Sequence, residues 1–276
     1  MATDNSNTTP MPTIFIPHGG GPCFFMEPPF GPKDMWDKMG NYLRSIVADL
    51  PRRPKAVLAV SAHWECPRPT VMTSPAPSML FDYYGFPEHT YRLEYPAPGS
   101  PELAARVQQL LADAGIASDS DHERGFDHGV FVPFLLMLPD ADIPVVQLSL
   151  QRGLDPRQHL LIGKALASLR NEDVLIVGSG LSYHNLRHFF ADIYQMDPAA
   201  QAFDNWLNDT VCHPNPVERN QRLINWSAAP GSRSCHPREE HLLPLMVAAG
   251  AADADPGSRP YNDHVMGKAV SGFQFG

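Results

Sequence analysis

The chain has 276 residues, 43% hydrophobic and 18% charged, which is enough for one large α/β domain or two small ones. Its formal net charge of -9 argues against nucleic acid and anionic membrane partners, because phosphate binding needs a basic surface. No stretch approaches the roughly 20 apolar residues of a membrane span. The polar start, residues 1–12, lacks a basic-then-apolar signal pattern and is expected to be flexible, which points to a cytoplasmic protein. The cysteines (Cys23, Cys66, Cys212, Cys235) have no paired spacing and read as reduced thiols, with metal binding by a thiolate a minor alternative. Twelve histidines and 29 prolines are the unusual counts: prolines should stiffen long connections, and histidines at element ends are candidates for metal or acid–base work.

Thr13–Pro17 reads as a short strand running into His18-Gly-Gly-Gly-Pro22, where glycines allow a sharp turn and close backbone approach. Neither a dinucleotide nor a P-loop fingerprint is present there. Residues 34–50 have helical spacing. The chain is then organised around Lys55–Glu65, a run of apolar residues interrupted by Ser61 that reads as a strand buried on both faces. It ends in His63, Trp64 and Glu65, where ligands bind in open α/β sheets.

Residues 81–98 form an aromatic, proline-rich loop that either walls an apolar ring or packs on the surface. Ser100 should cap a helix through Ala114, with Gly115 as its stop. His128 follows in the glycine turn Gly125-Phe-Asp-His-Gly129, before a helix over 130–138. Ile143–Leu150 and Asp173–Ser179 read as further buried strands around a helix over 156–169, and His184 lies just beyond the second. Residues 198–226 read as helical. Residues 234–246 should open a helix with Pro237 in its first turn, His241 facing inward, Glu240 about 100° away and a kink at Pro244. Ala269–Phe275 closes the chain as a strand. The alternation predicts a single α/β domain over 13–276, with a central, largely parallel or mixed sheet and helices on both faces.

His18, His63 and His184 follow strands, His128 sits in a turn and His241 begins a helix. Buried imidazoles gathered without a metal would be poorly satisfied, so a shared divalent ion is the economical reading. The competing reading scatters them over the fold as caps and surface groups.

The segments Pro17-His-Gly19, Ser61-Ala-His-Trp64, Tyr95-Pro-Ala-Pro-Gly-Ser-Pro101, Gly125-Phe-Asp-His-Gly129, residues 139–149, Ser179-Gly180, His184-Asn-Leu-Arg187 and Glu240-His-Leu-Leu-Pro-Leu245 run nearly the length of the chain. In them the sequence resembles the class III extradiol ring-cleaving dioxygenases, in the single-chain branch of DOPA 4,5-dioxygenase-like proteins. The resemblance implies that His18, His63 and His241 bind the metal, that His184 is the acid–base group and that His128 lines the substrate pocket. Fe(II) is the metal expected for ring cleavage, with Zn(II) an alternative, and Glu240 is the alternative third ligand. The implied partners are a small aromatic diol and O2; on charge alone, Arg92 or Arg187 would meet any substrate carboxylate, and a homo-oligomer is left open. The runner-up function is a zinc-dependent hydrolase using the same histidines, followed by a non-enzymatic metal- or ligand-binding protein.

Overall fold

Strands rich in apolar residues form the middle of the molecule because only there are both their faces covered. A computed structural model describes residues 9–189 and 193–276. Its strands are β1 (Thr13–Pro17), β2 (Ala56–Cys66), β3 (Thr70–Met72), β4 (Asp119–Asp121), β5 (Val145–Gln151), β6 (Val174–Gly180), β7 (Gly257–Val265) and β8 (Lys268–Phe275). They form one sheet in the order β4-β3-β5-β2-β6-β1-β8-β7. The central run from β5 through β2 and β6 to β1 is parallel, while β8 joins β1 antiparallel and β7 pairs with β8. The sheet is therefore mixed around a parallel centre, as the alternation of elements predicts.

The helices are α1 (Asp37–Ser45), α2 (Pro101–Asp113), α3 (His128–Met137), α4 (Pro156–Leu166), α5 (Leu186–Phe189), α6 (Pro198–Val211), α7 (Pro216–Ile224), α8 (Ser232–Cys235) and α9 (Leu243–Ala251). Alternate residues of β2 point to opposite sides of the sheet. Val57 and Ala59 pack with Leu43 of α1 and with Val130, Phe131 and Phe134 of α3. Leu58 and Val60 belong to the other core, with residues of α2, α4, α6 and α9. Every residue of α9 is buried, which suits its lack of a polar face.

Prolines start helices as well as stiffening loops. Ser100, Asp155, Asp197 and Asn215 each cap a helix with a side-chain oxygen, and a proline follows in the first turn. The missing N–H is harmless there because first-turn donors have no intrahelical partner.

The segment before α9 departs from expectation. The helix expected over 234–246 divides into the short α8, a non-helical stretch with Pro237, and α9. His241 precedes α9, and Pro244 sits in its first turn, so the proline marks a start and produces no kink. The polar β4 and the edge strand β7 were not anticipated, because neither has a continuous apolar run. The β7–β8 hairpin turns at Met266 and Gly267, both with positive φ.

Of the expected flexible start, residues 1–8 lie outside the described residues. Met11 is buried, its N–H donates to Arg170 O at 3.0 Å, and Arg170 Nε donates to Met11 O at 2.6 Å. The packed chain thus begins before Thr13. Among the described residues no helix is long and apolar enough to cross a membrane.

Candidate active site

Strands β2, β6 and β1 lie side by side, so their carboxyl ends open onto one crevice. His18 follows β1 directly, and its N–H extends the ladder to Gly180 O at 3.1 Å. His63 lies near the end of β2, His184 lies past β6, and His128 is the first residue of α3. The remaining imidazole arrives from the opposite side of the sheet. Leu181 N–H donates to His241 O at 3.0 Å, which lays the loop before α9 against the end of β6. This contact needs glycine in the strand: a Cβ on Gly180 would lie 2.1 Å from His241 O, and one on Gly178 would lie 2.3 Å from Pro244 O.

All five candidate histidines converge. Ring centroids are 4.9 Å apart for His18 and His63, 5.3 Å for His18 and His241, and 4.9 Å for His63 and His241. His128 lies 3.9 Å from His63, and His184 stacks on His241 at 3.4 Å. Ligand atoms of His18, His63 and His128 lie within 4.8 Å of one another, as do those of His184, Glu240 and His241. The histidines therefore do not scatter.

Hydrogen bonds set which ring nitrogens are free. Ser179 donates its hydroxyl proton to Gly129 O, so its Oγ, 3.1 Å from His18 Nδ1, accepts from that nitrogen. His18 Nε2 is left with its lone pair, 3.1 Å from His63 Nε2. Two neutral imidazoles at that distance need a shared proton or a common cation. His241 Nδ1 lies 3.0 Å from the Glu240 carboxylate, and His241 Nε2 is buried with no protein partner among the described residues. An oxygen acceptor behind one ring nitrogen and an open lone pair on the other is the usual arrangement of a metal-ligating histidine. The donor set fits a divalent ion with affinity for imidazole.

Burial pushes the pKa of His18 and His241 well below the ordinary histidine value, and neighbouring imidazoles push the same way. Burial likewise lowers His63, to about 3, with His128 adding to the effect and Asp82 opposing it. These rings are neutral near pH 7, the form a metal needs.

Two carboxylates organise the cluster. Glu240 Oε1 faces both His241 Nδ1 at 3.0 Å and His184 Nδ1 at 3.2 Å. Burial is the largest single influence and opposes its charge, but the hydrogen bond from His184, a backbone N–H and the charges of His184 and Arg238 together hold the carboxyl below its usual range. The helical geometry that separates Glu240 from His241 does not apply, because this segment is a turn. Asp82 Oδ1 accepts from His128 Nδ1 at 2.7 Å and from its backbone N–H at 2.9 Å, while Oδ2 faces His63 Nδ1 at 3.7 Å. Sequence reasoning missed Asp82, which no motif marks. Asp127, adjacent to His128, turns away to Ser61, Arg124 and Gln147.

A cavity of about 430 Å3 opens above the five histidines. Its walls come from 19–39, the β7–β8 turn and α5, with Phe86 as the sole wall residue from the aromatic loop among those described. Tyr83 and Tyr91 pack instead with Phe81 and, in the case of Tyr83, with Phe131. Neither Arg92 nor Arg187 lines the cavity; Arg92 sits 3.5 Å from Glu88 on the surface. Cys23 reaches the wall, but burial raises its thiol pKa to about 12, so it stays protonated and is a poor ligand.

Comparison with known proteins gives a consistent match. Residues 12–272 match the family described as the catalytic LigB subunit of aromatic ring-opening dioxygenase. The chain is 45% identical to 4,5-DOPA dioxygenase extradiol of Beta vulgaris, over 73% of this chain and 74% of that protein. It is 36% identical to 4,5-DOPA dioxygenase extradiol of Escherichia coli, over 95% and 93%. It is 37% identical to dioxygenase tasH of Hapsidospora irregularis, over 96% and 85%. The crystal structure of an uncharacterized Escherichia coli K12 protein superposes with a TM-score of 0.76 at 32% identity, covering 96% of this chain and all of that one.

Proposed function

The chain belongs to the family of the catalytic LigB subunit of aromatic ring-opening dioxygenases, and on that premise we propose that it is a metal-dependent extradiol enzyme that opens a catechol-type ring. The observation that carries this reading is the unpartnered, buried His241 Nε2 beside the facing Nε2 atoms of His18 and His63. We assign these three as metal ligands, with His184 as the acid–base group and His128 as a pocket residue. Fe(II) is the working metal of this reading, and Zn(II) suits the same donors. The catalytic unit includes the buried Met11 as well as 13–276, and the free cysteines suit a reducing, cytoplasmic setting.

When bound, the metal supplies open coordination positions for the diol and O2 and a path for electrons between them. The chain's own groups do the rest. His184 lines the cavity, and its Nδ1 is backed by Glu240 at 3.2 Å, leaving Nε2 to take a phenolic proton as the diol binds. The Glu240 carboxylate stabilises the resulting imidazolium. His184 then returns that proton to oxygen as the O–O bond breaks. His128, oriented by Asp82, is placed to hydrogen-bond substrate oxygen. The apolar walls exclude water from the reacting ring. A ring carbon–carbon bond beside one hydroxyl-bearing carbon breaks, and both oxygen atoms enter the product as a carboxylate and an aldehyde. The diol supplies the electrons, so no external reductant is consumed.

The test is anaerobic loading with Fe(II), addition of a catechol, and then O2. We expect equimolar O2 uptake and a yellow semialdehyde. Turnover of ester substrates by the zinc form, with no O2 uptake from any diol, would favour a hydrolase instead.

A further inference from the structure

The walls of the cavity differ in chemistry from its floor. Met26, Pro28, Met35, Trp36, Phe86 and Met266 surround the space above the histidines. Among the described lining residues there is no Lys, Arg, Asp or Glu. Two nearby arginines, Arg238 and Arg124, are committed elsewhere, and Arg187, on the exposed side of α5, is not among the lining residues. Arg238 holds Glu65 through two hydrogen bonds of 2.5 and 2.6 Å, and Arg124 binds Asp127 at 2.8 Å and lies over the Trp64 ring. A substituent carrying a carboxylate would lose its water on entering and meet no cation among the described lining residues, which is costly for a buried charge.

Volume adds a second constraint. At about 30 Å3 for each water-sized group, the eight heavy atoms of a bare catechol take roughly 240 Å3 and leave a large part of the cavity of about 430 Å3 unfilled. The remaining space is bounded by methionines and aromatic rings, which suit apolar groups of varied shape. The floor accounts for the two hydroxyls of the ring; the walls accept what the ring carries.

We infer that the substrate of this chain is a catechol bearing a neutral, apolar substituent, alkyl or aryl in kind, and not one bearing a carboxylate or an amino-acid side chain. The inference rests on the ring-cleaving reading above, and it selects among diols.

The test uses the full chain loaded with Fe(II). Catechol, 4-methylcatechol, 4-pentylcatechol, 3,4-dihydroxybenzoate and 3,4-dihydroxyphenylalanine are compared by kcat/KM from O2 uptake. Their Kd values are measured in parallel by anaerobic calorimetry. We expect 4-pentylcatechol to exceed catechol about tenfold and the carboxylated diols about a hundredfold in kcat/KM, with Kd values in the same order. A carboxylated diol that matches or exceeds 4-pentylcatechol in both measures overturns the inference. If no diol consumes O2, the ring-cleaving reading falls, and the anaerobic Kd order alone decides the inference. Met26→Arg places a cation on a half-buried wall position, and Met35→Arg does so at a second site. Each folded variant should shift preference at least tenfold towards 3,4-dihydroxybenzoate. An unchanged preference in both overturns the inference.

Discussion

The floor and the walls of the cavity are built by different rules. The floor is polar and rests on strand ends: His18 extends the parallel ladder, His63 lies just past the residues of β2 that pair with β6, with its N–H on Ser61 Oγ at 3.1 Å, and His241 is held by a backbone bond to Leu181. Its ring nitrogens are aligned by Ser179, Glu240 and Asp82. The walls are apolar and come from loops and a hairpin turn. Rigid strands hold the atoms that need sub-ångström placement, and the loops surround what varies between substrates.

The comparison can be broken most severely at the floor. His63→Ala or His241→Ala should lose the metal and all measurable ring cleavage, with metal content read by elemental analysis of the purified variant. His184→Ala should keep the metal but lose about 100- to 10,000-fold in kcat, the range of a lost acid–base group. Unchanged turnover in that variant would remove His184 from the chemistry. Glu240→Gln should cost about 10- to 100-fold in metal affinity or activity, because it weakens the acceptor behind both His241 and His184. If both quantities are unaffected, the shared carboxylate has no positioning role.

A smaller effect lies outside the site. His236 is buried, its Nε2 donates to Ser182 O at 2.9 Å, and its Nδ1 has no partner among the described residues. Burial lowers its pKa from 6.5 to about 4. Burial also lowers His159. The unfolded chain therefore takes up these protons first. Stability is fully present above about pH 6.5 and is lost as pH falls towards 4, by on the order of 3 kcal/mol for His236. Urea midpoints of wild type and His236→Phe across that window should converge as pH falls. Parallel curves would show that His236 is not the source.

Sequence made the floor legible and left the walls largely obscure. An uncharged apolar run such as Ala56–Ala62 marks a buried strand, and a histidine after it marks a strand exit, so the convergence of His18, His63 and His184 could be anticipated. The position of His241 was expected for the wrong reason. Its site depends on a turn and on a bond to Leu181, a contact between distant residues that no local periodicity records. Reading 234–246 as one helix also turned Glu240 away from the cluster it organises. Asp82 was hidden because its partner, His128, comes much later in the chain. The composition of 81–98 leaves open whether its aromatic residues wall the ring or pack elsewhere, because tyrosine and phenylalanine pack equally well with one another, and most of them do so. Methionines near Pro28 and at the hairpin turn carry no motif, and only the fold brings them together.

The bare positions at Gly178 and Gly180 have a consequence for anyone wishing to transplant this centre. A methyl group at either would strike the carbonyl of Pro244 or His241 and lift the entering loop off the strand. The reach of the third imidazole is thus governed by two residues that contribute no donor atom. Copying the histidines into another scaffold, without room for that loop to lie flush on the strand, would deliver the right side chains at the wrong height.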